Sequence, residues 1–112
     1  MVASPARYRM YIVGDLAIDT EARRVYACGR FVRLPYQEYT ILVYLARHLG
    51  HACSYRHLVT HALGDLYVGA SDVHRVRELV RKLRRRLGLP PGRVLYTVAK
   101  YGYILIDEPH DA

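Results

Sequence analysis

The chain has 112 residues, of which 52% are hydrophobic, and 17 Lys and Arg stand against 10 Asp and Glu for a formal charge of +7. This length suits one domain and this apolar fraction supports a packed core, which excludes a two-domain architecture and wholesale disorder. No apolar run nears the roughly 18 residues of a membrane span, and the start Met1-Val2-Ala3-Ser4-Pro5 lacks the apolar core of a secretory signal, so a basic cytoplasmic protein with a polyanionic partner is expected.

Residues 1–9 read as a flexible polar tail and 10–106 as the folded domain. From Met10 to Val32, short β-prone runs alternate with turn residues: Tyr11-Ile12-Val13, Leu16-Ala17-Ile18, Arg24-Val25-Tyr26-Ala27, and Phe31-Val32-Arg33-Leu34. The alternation of Leu16 with Ile18 and of Val25 with Ala27 suits half-buried antiparallel strands, with Gly29 turning the last pair.

A 3.6-residue period follows. Tyr39, Leu42, Val43, Leu45, Ala46 and Leu49 predict a helix over Tyr36–Leu49, with Pro35 before it, Glu38 in its first turn and Gly50 as its stop. Ser54 is a good N-cap for a second helix reaching Leu63, with Leu58, Val59, Ala62 and Leu63 inward. Gly64 to Ala70 reads as a loop, and its Leu66, Tyr67 and Val68 are candidates for partner contact.

The third helix is expected from an N-cap at Ser71 or Asp72 to Leu87, with Gly88 behind it and Pro90-Pro91 barring extension. Val73, Val76, Val80, Leu83 and Leu87 form one narrow apolar stripe, and His74, Arg75, Glu78, Arg81, Lys82 and Arg85 lie opposite. Arg77 and Arg84 flank that face on one side, Leu79 and Arg86 on the other. The segment from Ser71 to Gly88 alone carries +5 of the +7. Beyond it, Val94–Val98 and Tyr103–Ile106 read as two strands joined by a tip at Ala99-Lys100-Tyr101-Gly102, and 107–112 as a flexible acidic tail.

The whole is an α+β winged helix-turn-helix pattern: an antiparallel sheet, three helices and a hairpin. A helix fits the major groove of B-form DNA, where Arg and Lys donate to guanine edges, while flanking cations neutralise phosphates. Charge runs are usually solvated helix faces. Here the charge is almost all of one sign and sits opposite a clean apolar stripe, which favours double-stranded DNA as partner. That reading needs the stripe inward and the cations free to meet a duplex.

Other constellations weigh less. Cys53, His57, His61 and Asp65 have a four-residue spacing that could hold a metal, but no CxxC pair or HExxH supports it, so exposed histidines are the preferred reading and no cofactor is expected. His48 and His51 suit a helix C-terminus. Two cysteines make no disulfide framework, and Cys28 and Cys53 read as small fillers. The eleven tyrosines could stack on bases, but in a chain without Trp most of them are expected to do the core's aromatic work. No phosphate loop, carboxylate pair or nucleophile signature points to an enzyme.

From about Gly14 to Leu105 the chain resembles the DNA-binding effector domain of the OmpR/PhoB response-regulator family. The resemblance is carried by residues 34–42, 54–59, the run from Val76 to Gly88, and Leu95 to Leu105, with Leu83-Arg84-x-x-Leu87-Gly88 and Thr97-Val98-x-x-x-Gly102-Tyr103 as its most specific pair. It implies a four-stranded sheet ahead of the helices. It places His74 where an arginine touches phosphate, Arg81 and Lys82 toward bases and backbone, and Arg84 on phosphate. Thr97 would lie near the backbone, and Tyr103 would be the wing tyrosine.

Pro35-Tyr36 replaces the family's Thr-Pro pair, Leu63 an aromatic, Leu79 a commonly polar position, Ala99 the wing arginine and Lys100 the glycine after it. No receiver domain is expected within this length, so tight binding would need tandem sites, a homodimer or a partner. The expected function is sequence-specific DNA binding in transcription regulation, with the helix at 72–87 in the major groove, the wing at 95–105 on backbone or minor groove, and Arg77, Arg84, Thr97, Lys100 and Tyr101 gripping the backbone. The alternative is a winged-helix interaction module docking on RNA polymerase or another regulator.

Overall fold

The structure, a computed structural model, describes residues 10–89 and 94–107. Four short strands, β1 (Met10–Val13), β2 (Leu16–Asp19), β3 (Arg24–Ala27) and β4 (Arg30–Val32), form an antiparallel meander in chain order. Alternation decides its faces: Val13, Leu16, Ile18, Val25, Ala27 and Val32 are buried. On the other face Ile12, Ala17, Tyr26 and Phe31 stand in register across all four strands. β4 is shorter than its apolar run, and Arg33 and Leu34 lead into the Pro35 N-cap instead.

Helix α1 (Tyr36–Arg47) starts at Pro35 without a side-chain cap. It ends two residues earlier than its period suggests. The His48 N–H still reaches Tyr44 O and Leu45 O, but the Gly50 N–H turns to Leu105 O of the hairpin, which leaves Leu49 exposed. Ile41, outside the expected stripe, is fully buried.

Strand β5 (Cys53–Ser54) leads into α2 (Tyr55–His57), capped by Ser54 Oγ accepting from the His57 N–H at 3.1 Å. The expected single α-helix is not continuous: from Leu58 to Ala62 the turn widens to π-type bonding, with the Leu63 N–H on Leu58 O. Leu58 and Val59 stay fully buried, and the widened turn packs against α1 and α3.

Helix α3 (Ala70–Leu87) begins before either expected cap, on Gly69. Asp72 lies inside the first turn, where its nearly buried carboxylate reaches back to accept from the Val68 N–H at 2.6 Å. It therefore holds the incoming loop as well as favouring the helix's positive end. Gly88, at φ +71, ends the helix as expected, with the Leu89 N–H bonding Arg84 O.

The hairpin β6 (Leu95–Val98) and β7 (Gly102–Leu105) gains β5 as a third strand, in the order β5-β7-β6, a pairing too short to read from sequence. At Gly102 a Cβ would sit 1.9 Å from Cys53 O, so only a glycine lets β5 and β7 approach. Asp107, assigned to the tail, accepts from the Gly14 N–H at 3.0 Å and fastens the hairpin's exit to the β1–β2 turn. The expected tails 1–9 and 108–112 and the Pro90–Gly92 turn lie outside the described residues. The architecture is α+β, a sheet, three helices and a wing around one core, and among the described residues no helix is long and apolar enough to cross a membrane.

Candidate nucleic-acid interface

The candidate interface is built on α3. Val76, Val80, Leu83 and Leu87 are buried and Val73 half-buried, so the 3-4-3-4 spacing seats this helix against the rest of the core. His74, Arg81, Lys82 and Arg85 are exposed on the other face, with Arg75 and Glu78 half-buried at its margins. From His74 to Arg85 that face spans about 16 Å of helix axis.

The cations there are not equally free, which qualifies the expectation of an open basic face. Arg75 pairs with Asp65 at 2.6 Å and lies 3.9 Å from Asp72. Arg81 donates through both Nε and Nη2 to Glu78, at 3.3 and 2.9 Å. That hydrogen bond holds the Glu78 carboxyl below its usual range and raises the guanidinium of Arg81 further. Both partners remain half in solvent, where water and salt screen the pair, so it opens readily for a ligand. His74, Lys82 and Arg85 form no ion pair with a described residue.

Two other arginines of α3 bond to other elements of the fold. Arg84 Nη2 donates to Leu95 O at 2.8 Å and Thr97 Oγ1 at 3.1 Å, its guanidinium lies 5.6 Å from the Tyr103 ring centre, and its Nε is buried without a hydrogen-bond partner among the described residues. Arg86 pairs at 2.9 Å with Glu38, whose residue is 2% exposed, tying the end of α3 to the start of α1. From its place in the first turn, Glu38 is expected only to favour the helix dipole. Its partner is 48 residues away and no local pattern marks it.

Arg77 is exposed, with its Nε 3.4 Å from the Tyr55 hydroxyl. Tyr55 meets Tyr103 edge to face at 5.8 Å. Burial, then the neighbouring Tyr55, pushes the Tyr103 phenol up to about 12. Arg84, Arg77, Tyr55 and Tyr103 thus form a cation–aromatic seam that sets the wing's angle to α3. Thr97, Lys100 and Tyr101 are exposed, and the tip closes by the Tyr101 N–H on Val98 O. Lys100 has φ +64, the left-handed conformation that suits a glycine.

In the loop ahead of α3, Leu66 and Val68 are 86% and 77% exposed, while half-buried Tyr67 lies under Arg56 at 4.7 Å. The candidate metal spacing does not converge. Cys53 is buried in β5 with its thiol on His51 O, and His57 and His61 face each other with ring centres 5.6 Å apart. Among the described residues no three His, Cys, Asp or Glu could share a metal. Burial pushes the Cys53 thiol up, whereas Cys28, read from the sequence as a second filler, is exposed.

Comparison with known proteins converges on one family. The family described as "Transcriptional regulatory protein, C terminal" matches residues 29–105. The Klebsiella pneumoniae RstA DNA-binding domain in complex with the RstA box superposes with a TM-score of 0.80 at 25% identity, covering 89% of this chain and 99% of that one. The DNA-binding domain of CpxR from E. coli gives 0.74 at 25% identity, over 88% and 97%. That of Bacillus subtilis CssR gives 0.66 at 28%, over 80% and 98%.

Proposed function

Since the chain belongs to the OmpR/PhoB-type family of transcriptional regulatory protein C-terminal domains and is a sequence-specific DNA-binding transcription regulator, we propose that it reads duplex DNA by laying the outer face of α3 in the major groove. The observation that carries this is the row of exposed cations, His74, Arg81, Lys82 and Arg85, on a helix whose opposite edge is locked in the core. Arg81 and Lys82 donate to base edges, where a bidentate guanidinium selects guanine, and Glu78 accepts from a neighbouring cytosine. His74, Arg77 and Arg85 take phosphates, and Thr97, Lys100 and Tyr101 hold the wing against the adjacent backbone. Arg75 acts through Asp65, and Arg84 through the wing, as positioning residues. A genomic partner sets the cytoplasm as the compartment, and the domain binds without covalent chemistry.

A second surface accompanies the first. The exposure of Leu66 and Val68, on a loop fixed by Asp72 and Arg56, favours contact with RNA polymerase or another protein. Selection of bound sequences from random duplexes, followed by salt titration of the enriched site, tests the DNA reading. Enrichment of one motif is expected, with log affinity falling by about 0.9 per phosphate neutralised for each tenfold rise in salt. No enrichment and a flat salt response would leave the protein-docking surface as the domain's whole function.

A further inference from the structure

Away from α3, the β2–β3 turn, β4 and the start of α1 enclose a groove of about 410 Å³. Arg23, Arg24 and Arg33 line it together with Phe31, Tyr36 and Tyr39, and none of its lining residues carries a carboxylate. Arg23 lies over the Tyr36 and Tyr39 rings at 5.7 and 5.6 Å, and Arg24 over Phe31 at 5.7 Å. A guanidinium held beside an aromatic ring by its quadrupole still has N–H groups to offer an anion. None of the three arginines forms an ion pair with a described residue.

The floor is apolar and open. Phe31 is 49% and Tyr36 67% exposed. Phe31 also ends the outward row that Ile12, Ala17 and Tyr26 continue across the sheet, and Ile12 is 60% exposed. Arginine and aromatic residues beside an uncovered apolar strip are the composition of a protein-contact centre. A second duplex would gain from the arginines and nothing from Ile12 or Phe31, whereas a polypeptide uses both. We propose that this groove docks an acidic segment of a partner protein, with carboxylates on Arg23, Arg24 and Arg33 and an apolar side chain against Phe31.

The probe is the acetylated and amidated peptide DEDLFEDE, followed in the amide spectrum of the ¹⁵N-labelled chain and by fluorescence anisotropy. The expected result is saturable binding with shifts centred on the amides of Arg23, Arg24, Phe31 and Arg33. The control DEDSSEDE should bind more weakly. Arg24→Glu with Arg33→Glu should lower affinity by at least about 5-fold, while Arg81→Ala, Lys82→Ala and Arg85→Ala together leave it unchanged.

Phe31→Ser, at an exposed position, gives an independent reading should charge reversal disturb folding: it should remove the preference for DEDLFEDE over DEDSSEDE. Shifts centred on α3, equal binding of the two peptides, or no saturation below about 1 mM would overturn the proposal. A drop in the salt slope for a random duplex on charge reversal would also overturn it, by making the groove a nucleic-acid contact.

Discussion

Arg84 and Arg85 are neighbours on α3, yet the guanidinium of Arg85 stands in solvent while that of Arg84 is folded onto Leu95 O, Thr97 and the Tyr103 ring. One step along a helix is a rotation of about 100°, and here that rotation separates a cation available to a duplex from one that holds the wing. The outer group, Arg81, Lys82 and Arg85, has at most a surface ion pair to give up. The second group, Arg84 and Arg86, is tied to the hairpin and to the buried Glu38 of α1. Net charge counts the two alike. On the proposed reading their work differs: affinity would come from cations that exchange partners on binding, and geometry from those that do not.

Lys82→Ala with Arg85→Ala should have the largest effect. The enriched site should lose about 1–3 kcal/mol for each residue that reads a base, and the salt slope should shrink by about 0.9 for each that takes a phosphate, while the urea midpoint hardly moves. Arg84→Met should do the reverse, costing about 1–2 kcal/mol of folding stability through two lost charge-assisted hydrogen bonds and leaving the slope intact. A slope reduced by about 0.9 with full stability would move Arg84 into the outer group.

At the wing tip, Lys100→Gly should raise stability by about 1 kcal/mol, since Lys100 is held at φ +64. It should lower the salt slope only if the lysine meets a phosphate. The last effect is with pH. Burial favours the neutral Tyr103 phenol, which keeps its proton up to about 12 in the fold and loses it near 10 when unfolded. That stabilisation is complete below pH 10 and is lost as pH rises from about 10 to about 12. Urea midpoints should fall across that interval, and Tyr103→Phe should flatten the decline. An unchanged decline in this variant would detach the seam from alkaline sensitivity.

What the sequence disclosed follows from local periodicity. Leu16 with Ile18, Val25 with Ala27, the α3 stripe and the Gly88 stop each signal within one or two turns or strands, and each is where the pattern puts it. What stayed hidden depends on distant partners. A carboxylate in a first turn reads as exposed, yet Glu38 is buried against Arg86. Asp72 has the chemistry of an N-cap, and only the path of the incoming loop shows it reaching Val68 from inside the helix. Leu49 fits the α1 period but follows the helix's end, because Gly50 bonds to the hairpin. The helical wheel puts Arg84 on a flank and contains no wing, so it cannot tell a phosphate ligand from a strut.

Because the carbonyl of Cys53 fills the space where a side chain would begin at Gly102, the wing has one unalterable root and an adaptable crown. Residues 99–101 can drift and retarget whatever they touch without loosening the three strands beneath. Position 102 is closed to variation, so inherited changes in target choice should gather at the tip and along α3, and a library built to redirect the domain should leave that single glycine alone.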